Sequence, residues 1–303
     1  MTASTDTAAG GPQPAERASP VNDDMGRLSL RCSDRPGLVA AVSAFLAEAG
    51  ANIVSLDQHS TQPTGGTFMQ RTVFHLPGLS GARDALERDF VARIATRFHM
   101  DFSLTEASTP KRVAIMVSKD DRCLLDLLWR NRRGELDMSV VAVISNHPDL
   151  ADRASLFGVP FVHVPEEIRA DAERRQLDVL TGNVDLIVLA RYMQILTPHF
   201  LAAVGCPLIN IHHSFLPSFT GAAPYRRASE RGVKLVGATA HYVTEDLDAG
   251  PIIEQDVVRV NHRHGVEDLI RLGADVERAV LSRAVLWHCE DRVIRDGNHT
   301  VVF

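Results

Sequence analysis

No apolar run in the sequence approaches the roughly 20 residues that a helix needs to cross a bilayer, so a helical membrane protein is excluded. Cysteine is scarce: Cys32, Cys123, Cys206 and Cys289 lie far apart, with no C-x-x-C pair and no disulfide-like spacing. That pattern fits reduced thiols in a cytoplasmic protein. Basic residues are outnumbered, 32 Lys and Arg against 38 Asp and Glu, for a formal net charge of -6. Such a balance argues against non-specific binding to nucleic acid or to an anionic membrane. Residues 1–25 hold almost no large apolar side chains and lack the basic start and apolar stretch of a signal peptide. They are expected to form a disordered tail. A Gly-x-Ser-x-Gly nucleophile elbow is absent too.

What remains is a globular composition, 45% hydrophobic and 23% charged over 303 residues, a length that suggests two domains. After the tail, Arg27 to Cys32 alternates as a strand. Ser33-Asp34-Arg35-Pro36-Gly37 offers capping side chains and an early proline, and Leu38, Val42, Phe45, Leu46 and Ala49 recur at helical spacing up to Gly50. Ala51 to Ser60 and Thr67 to Leu76 read as strands about a Gly65-Gly66 turn. A helix from about Gly81 to Phe98 and a strand from His99 to Glu106 complete a βαββαβ, ferredoxin-like order over residues 26–107.

Residues 108–110 are a short polar linker. From 111 to 303 the pattern becomes buried-type strands (Arg112 to Val117, Val140 to Ile144, Phe161 to Val164, Val184 to Ala190, Leu208 to His212) separated by helical segments. This predicts a Rossmann-like, mostly parallel sheet covered on both faces, with any ligand beyond the carboxyl ends of the strands.

The richest stretch is the string NIHHSFLPSF from Asn210 to Phe219. Strand alternation puts Asn210 and His212 on one face and His213 on the other. An amide and an imidazole at a strand end suit a carbonyl oxygen that becomes negative during attack; they also suit plain hydrogen bonding to neighbouring loops. Downstream, GATAHYVTEDLDAGPIIEQDVVRV gathers Glu245, Asp246, Asp248 and Glu254. Among them Asp248 precedes an Ala-Gly-Pro turn that fixes its direction. His212 and His213 point to opposite faces and so cannot share one ion; no catalytic metal is expected.

These two strings resemble the catalytic core of the 10-formyltetrahydrofolate deformylases, within the broader formyltransferase family. The segment CSDRPGLVAAVSAFLAEAGANI resembles an ACT domain, an amino-acid-sensing module. Between them the resemblances reach from about residue 26 to 303. They imply a hydrolase that releases formate, for use in purine synthesis, from a folate that is substrate rather than cofactor. They also imply Asn210, His212 and Asp248 as catalytic residues, with Asp248 activating water and the other two holding the oxyanion. By the same resemblance the pterin lies against Arg191, Tyr192, Met193, Gln194, Ile195 and Leu196 and the loop Val243, Thr244 and Glu245. An effector, glycine or methionine, is implied between paired ACT domains near Asp34, Gly37 and Asn52, in a homo-oligomer (tetramer or hexamer).

Transfer to an acceptor is the competing chemistry. The related transferases carry a glycine-rich phosphate loop after the first strand, whereas Ser118-Lys119-Asp120-Asp121-Arg122 has no glycine and two acids. His213 stands where those transferases usually carry proline, and the His-His-Ser form is typical of deformylases. Ala223 departs from the asparagine often found there. A transferase for a small unphosphorylated acceptor, and a non-catalytic folate sensor, are the alternatives; the trio Asn210, His212 and Asp248 speaks against the second.

Overall fold

The computed structural model describes residues 24–165, 168–217 and 224–303. The tail expected over 1–25 therefore lies outside the described residues up to 23. Its last two belong to the fold: Asp24 accepts from the Leu79 N–H, and Met25 opens the first strand opposite His75.

The N-terminal unit runs β1 (Met25–Ser33), α1 (Leu38–Glu48), β2 (Asn52–Ser60), β3 (Thr67–His75), α2 (Leu79–Phe90), a π-helical turn (Val91–Ala95), α3 (Thr96–Phe98) and β4 (Asp101–Glu106). The antiparallel sheet has the order β2-β3-β1-β4, as the βαββαβ reading requires. Leu28 and Leu30 alternate inward from β1 to meet Leu38, Val42, Phe45 and Phe90. Phe90 sits edge-on to both Phe45 and Phe102, at 5.2 and 4.9 Å between ring centroids. The expected cap at Asp34 is absent. Helix α1 starts from Gly37 at φ 92, without a side-chain cap, while Asp34 accepts from the Ser60 hydroxyl at 2.5 Å. Glycine at that φ needs no help from a capping side chain to turn the chain into the helix.

The second unit runs β5 (Lys111–Val117), α4 (Arg122–Arg132), β6 (Met138–Ser145), a 3₁₀ turn (Pro148–Leu150), α5 (Ala151–Ser155), β7 (Phe161–His163), α6 (Arg169–Leu180), β8 (Leu186–Leu189), α7 (Pro198–Val204), β9 (Leu208–His212), α8 (Pro224–Arg231), β10 (Leu235–Tyr242), β11 (Ile252–Arg259), α9 (Val266–Cys289), β12 (Val293–Asp296) and β13 (His299–Val302). The large sheet is ordered β11-β10-β9-β8-β5-β6-β7. Strands β7, β6, β5, β8 and β9 are parallel, and β10 and β11 complete it antiparallel. Both faces are covered, which is why β5 is apolar and buried from Val113 to Val117. Val113, Ile115 and Val117 pack with Leu124 and Leu127 of α4 and with Val280, Leu281 and Ala284 of α9. Ala114 and Met116 pack with Leu180 of α6 and with Phe200 and Val204 of α7. No helix among the described residues is long and apolar enough to cross a membrane.

The two units are joined at the end of α9. Arg27 donates to the Cys289 carbonyl at 3.2 Å, Arg71 to those of Glu290 and Asp291 at 2.8 and 3.1 Å, and Ser29 to that of Asp291 at 3.0 Å. Cations thus meet carbonyls at and just beyond a helix C-terminus, where the partial charge is negative. Beside this joint lies a crevice of about 210 Å³ that is lined by Ser29 and Ser103 on one side and by Tyr242, His288 and Arg295 on the other. Tyr242 and His288 Nδ1 are hydrogen-bonded there at 2.8 Å.

Burial, and then the nearby Lys111 charge, push His288 down from 6.5 to about 4. A histidine neutral in the folded state but protonated in the unfolded state favours unfolding as pH falls through the interval between those values. One such group gives a slope of about 1.4 kcal/mol per pH unit. His288→Asn keeps an acceptor for Tyr242 without the titration, so its urea midpoint should fall less between neutral pH and pH near 5 than that of the wild type. Equal losses in the two proteins would contradict this role.

Candidate active site

Strand β9 ends with Asn210 and His212 on one face, and antiparallel β10 sets His241 directly opposite Asn210. The chain then turns back through Asp248, which adopts φ 56, a left-handed conformation that Asp tolerates better than most residues. Gly250 explains how the turn closes: a Cβ there would stand 1.8 Å from the Tyr242 carbonyl oxygen. The Tyr242 N–H is bonded to the Pro251 carbonyl at 2.9 Å. Held this way, Asp248 Oδ1 lies 3.2 Å from His212 Nδ1 and 3.8 Å from His241 Nε2, and Asn210 Nδ2 lies 3.3 Å from that same His241 Nε2.

Proton positions follow from what each partner can do. A backbone carbonyl only accepts, so His241 Nδ1, 2.9 Å from the Tyr242 oxygen, carries the hydrogen. In neutral His241, Nε2 is then an acceptor and must face the amide NH₂ of Asn210. One Asn210 N–H is engaged there, and the second has no partner among the described residues. Likewise a carboxylate only accepts, so His212 Nδ1 carries its hydrogen, and buried His212 Nε2 has no partner among the described residues. The His212 hydrogen bond holds Asp248 below the usual carboxylate range against the opposing effect of burial. Burial lowers His241, partly offset by its bond to the Tyr242 carbonyl. His213 is pushed down to about 4 by burial and then by the charge of Arg191.

A groove opens beside this cluster. Leu189, Gln194, Ile195 and Leu196 form one bank, Val243 to Asp248 the other, and Asn210 and His241 line it between them. Ile195 and Leu247 are 56% and 67% exposed, an apolar lip suited to a flat aromatic ring. The first bank is pinned where Thr197 caps α7 and donates both its N–H and its hydroxyl to the buried carboxylate of Glu173. Of the residues expected against the pterin, Gln194, Ile195, Leu196, Val243, Thr244 and Glu245 line this groove. Arg191, Tyr192 and Met193 do not line the groove. Left-handed φ values of 63 at Arg191 and 55 at Met193 turn the backbone and send their side chains elsewhere. Arg191 reaches toward Glu277, Tyr192 is buried against Gln176 of α6, and Met193 faces solvent.

The family model for the formyl transferases matches residues 111–285, and that for the ACT domain matches 26–89. A formyltetrahydrofolate deformylase of Mycobacterium bovis is 72% identical over 92% of this chain and 91% of its own length. The crystal structure of a formyltetrahydrofolate deformylase from Pseudomonas syringae superposes with a TM-score of 0.86 at 47% identity, covering 92% of this chain and 94% of that one. The chain belongs to the formyltetrahydrofolate deformylase family. It is an enzyme, and the expected family and two-part α/β fold hold. A glycinamide ribonucleotide transformylase from Symbiobacterium toebii matches less of it, with a TM-score of 0.61 at 32% identity over 64% of this chain and 94% of its own.

Against this deformylase-family frame, three neighbours of the cluster escaped the sequence reading. His241 stands there only within the string GATAHYVTEDLDAGPIIEQDVVRV, with no role of its own. Its signal was the alternation of Thr239 and His241 on a strand that would have to pair with β9. Tyr225 and Glu277 gave no signal, because they meet only through the packing of α8 on α9. At the N-terminal unit an open hollow is lined by Asp34, Gly37, Leu38, Leu56 and Gln58. Asn52 lies at the far end of β2, paired with His75, whereas Asp34 bonds Ser60 at the near end. One chain therefore does not bring Asn52 to Asp34 and Gly37. Ala223 lies outside the described residues.

Proposed function

We propose that this deformylase-family enzyme hydrolyses 10-formyltetrahydrofolate to formate and tetrahydrofolate. The observation that supports this reading most is the contact of Asp248 with His212, beside Asn210 and at the edge of a groove with apolar lips. The pterin lies in the groove and the formyl group reaches its Asn210 end. Asp248 orients a water, whose oxygen attacks the formyl carbon. Since the carboxylate is held low, it is a weak base, so its main contributions are position and negative charge. The free Asn210 N–H and His212 Nε2, in its protonated form, bind the oxygen that becomes negative, each donor contributing about 2.7–4 kcal/mol. As the C–N10 bond breaks, one proton of the attacking water passes to N10, and the formic acid formed loses its own proton to solvent and leaves as formate. The reaction uses no cofactor, because the folate is consumed as substrate.

Formate release from 10-formyltetrahydrofolate in the absence of any acceptor tests the proposal. Glycinamide ribonucleotide should neither slow that release nor be formylated, because the loop after β5 offers a phosphate no glycine-lined cradle. Instead Asp120 turns back onto Arg122, with a carboxylate oxygen 2.9 Å from Nε. Formylated ribonucleotide appearing as fast as formate would overturn the hydrolytic reading.

In cells the formate would supply purine synthesis and the reaction would balance one-carbon folates, in a cytoplasmic setting that suits four free cysteines. The ACT match and the hollow at Asp34 and Gly37 support control by a small amino acid, glycine or methionine, within a homo-oligomer of four or six chains. Formate release by the full-length protein should then shift with one of these amino acids at millimolar levels, and Asp34→Ala should blunt the shift. No response in the wild type would contradict this regulation.

A further inference from the structure

The groove opens on one side of the Asn210–His212 strand end, and Arg191, Glu277 and Tyr225 pack together beside His213. Arg191 sends its guanidinium to within 3.4 Å of Glu277, with Nε 3.9 Å from Asp120. Tyr225 donates to the other Glu277 oxygen at 2.7 Å. Helix α9 makes room for that ring one turn earlier, where a Cβ on Gly273 would stand 2.0 Å from the Tyr225 hydroxyl. The side chains of Glu277 and Arg191 are only 4% and 17% exposed. This wall of side chains adjoins the chemistry, since the His213 ring lies 6.1 Å from that of Tyr225 and 5.2 Å from that of His212.

Nothing in the hydrolytic mechanism uses these groups, and each is costly. Arg191 holds φ 63, a conformation glycine adopts without strain, yet the position carries one of the longest side chains. A buried ion pair is in general no better for stability than apolar packing. Strain and buried charge kept beside a reacting centre point to a functional use.

We propose that Arg191, Tyr225 and Glu277 set the choice of nucleophile, by closing the space from which an amine would attack the formyl carbon while leaving room for water. The inference rests on the hydrolytic reading. With the wall opened, an amine nitrogen bonds to the formyl carbon, the C–N10 bond breaks, and the proton lost by the amine is taken up by N10.

Arg191→Gly opens the wall at a position where glycine suits the backbone. Wild type and variant are incubated with 10-formyltetrahydrofolate and a large excess of glycinamide, and formate and formylglycinamide are quantified by mass spectrometry against an enzyme-free control. The ratio of formylated amine to formate should rise about tenfold or more in the variant. A variant that still releases formate with an unchanged ratio overturns the wall, and the hydrolytic reading survives. A wild type that already formylates glycinamide as fast as it releases formate removes that reading itself. Should Arg191→Gly lose turnover, Tyr225→Ala opens the same wall from its other side and is read in the same assay, with an unchanged ratio again overturning the proposal. If neither variant turns over, calorimetric titration of Arg191→Gly with glycinamide decides: saturable binding that the wild type lacks supports the wall, and its absence overturns it.

Discussion

Asp248→Asn should lower formate release on the order of 10²–10³-fold, the size of losing one preorganised electrostatic group, while folate binding stays close to wild type. Asparagine has nearly the same volume and is one of the few residues that accept the left-handed φ of 56 found here. Its carbonyl oxygen still accepts from His212 Nδ1, so the imidazole keeps its tautomer and the groove its shape. What disappears is the negative charge that holds the attacking water beside His212. The check is formate release under saturating substrate, with folate affinity measured separately by titration. More than about a tenth of the wild-type rate, less than the usual effect of such a group, would remove Asp248 from its central place.

The second large effect is expected at the joint between the two units. Asp291 is 11% exposed, lies 2.7 Å from Lys111 Nζ and 3.7 Å from Arg27, and accepts from the Thr105 hydroxyl at 2.7 Å. Asp291→Ala strands Lys111 and Arg27 without their carboxylate, a change that typically costs about 3–5 kcal/mol when an ion pair is buried. It also forces alanine into the left-handed φ of 55 that Asp291 adopts. Urea unfolding should show a markedly lower midpoint, with the two units separating into distinct transitions. Asp291→Asn, which keeps the backbone preference and the Thr105 bond, should fall between. A single transition for Asp291→Ala at the wild-type midpoint would show that this joint contributes little.

Where local rules govern, the sequence was informative. The alternation of Leu28 and Leu30, the helical spacing of Leu38, Val42 and Phe45, and the unbroken apolar run of β5 each follow from one buried face or two. Asn210, His212 and Asp248 were visible because a strand and an Ala-Gly-Pro turn fix side-chain direction over a few residues. The sequence reading stopped where long-range packing takes over. Helix α9 was left unassigned, and with it the meeting of Glu277, Tyr225 and Arg191 from three separate elements. The side chains of Arg191, Tyr192 and Met193 leave the groove for a related reason. Two consecutive-but-one residues with positive φ reverse the direction in which side chains leave the chain, and nothing in Arg-Tyr-Met announces such values. Asp34 looked like a cap because Ser, Asp and Pro precede the helix, but Gly37 took over the turn and freed that carboxylate for Ser60.

The most direct measurement is the source of the oxygen in the product. The enzyme is given 10-formyltetrahydrofolate in water enriched in heavy oxygen, and the formate is analysed by mass spectrometry. If a water oriented by Asp248 attacks the formyl carbon, every formate carries one solvent oxygen and its rate of appearance is independent of any added amine. Formate without solvent oxygen, or formate that appears only when an acceptor is supplied, would contradict the account.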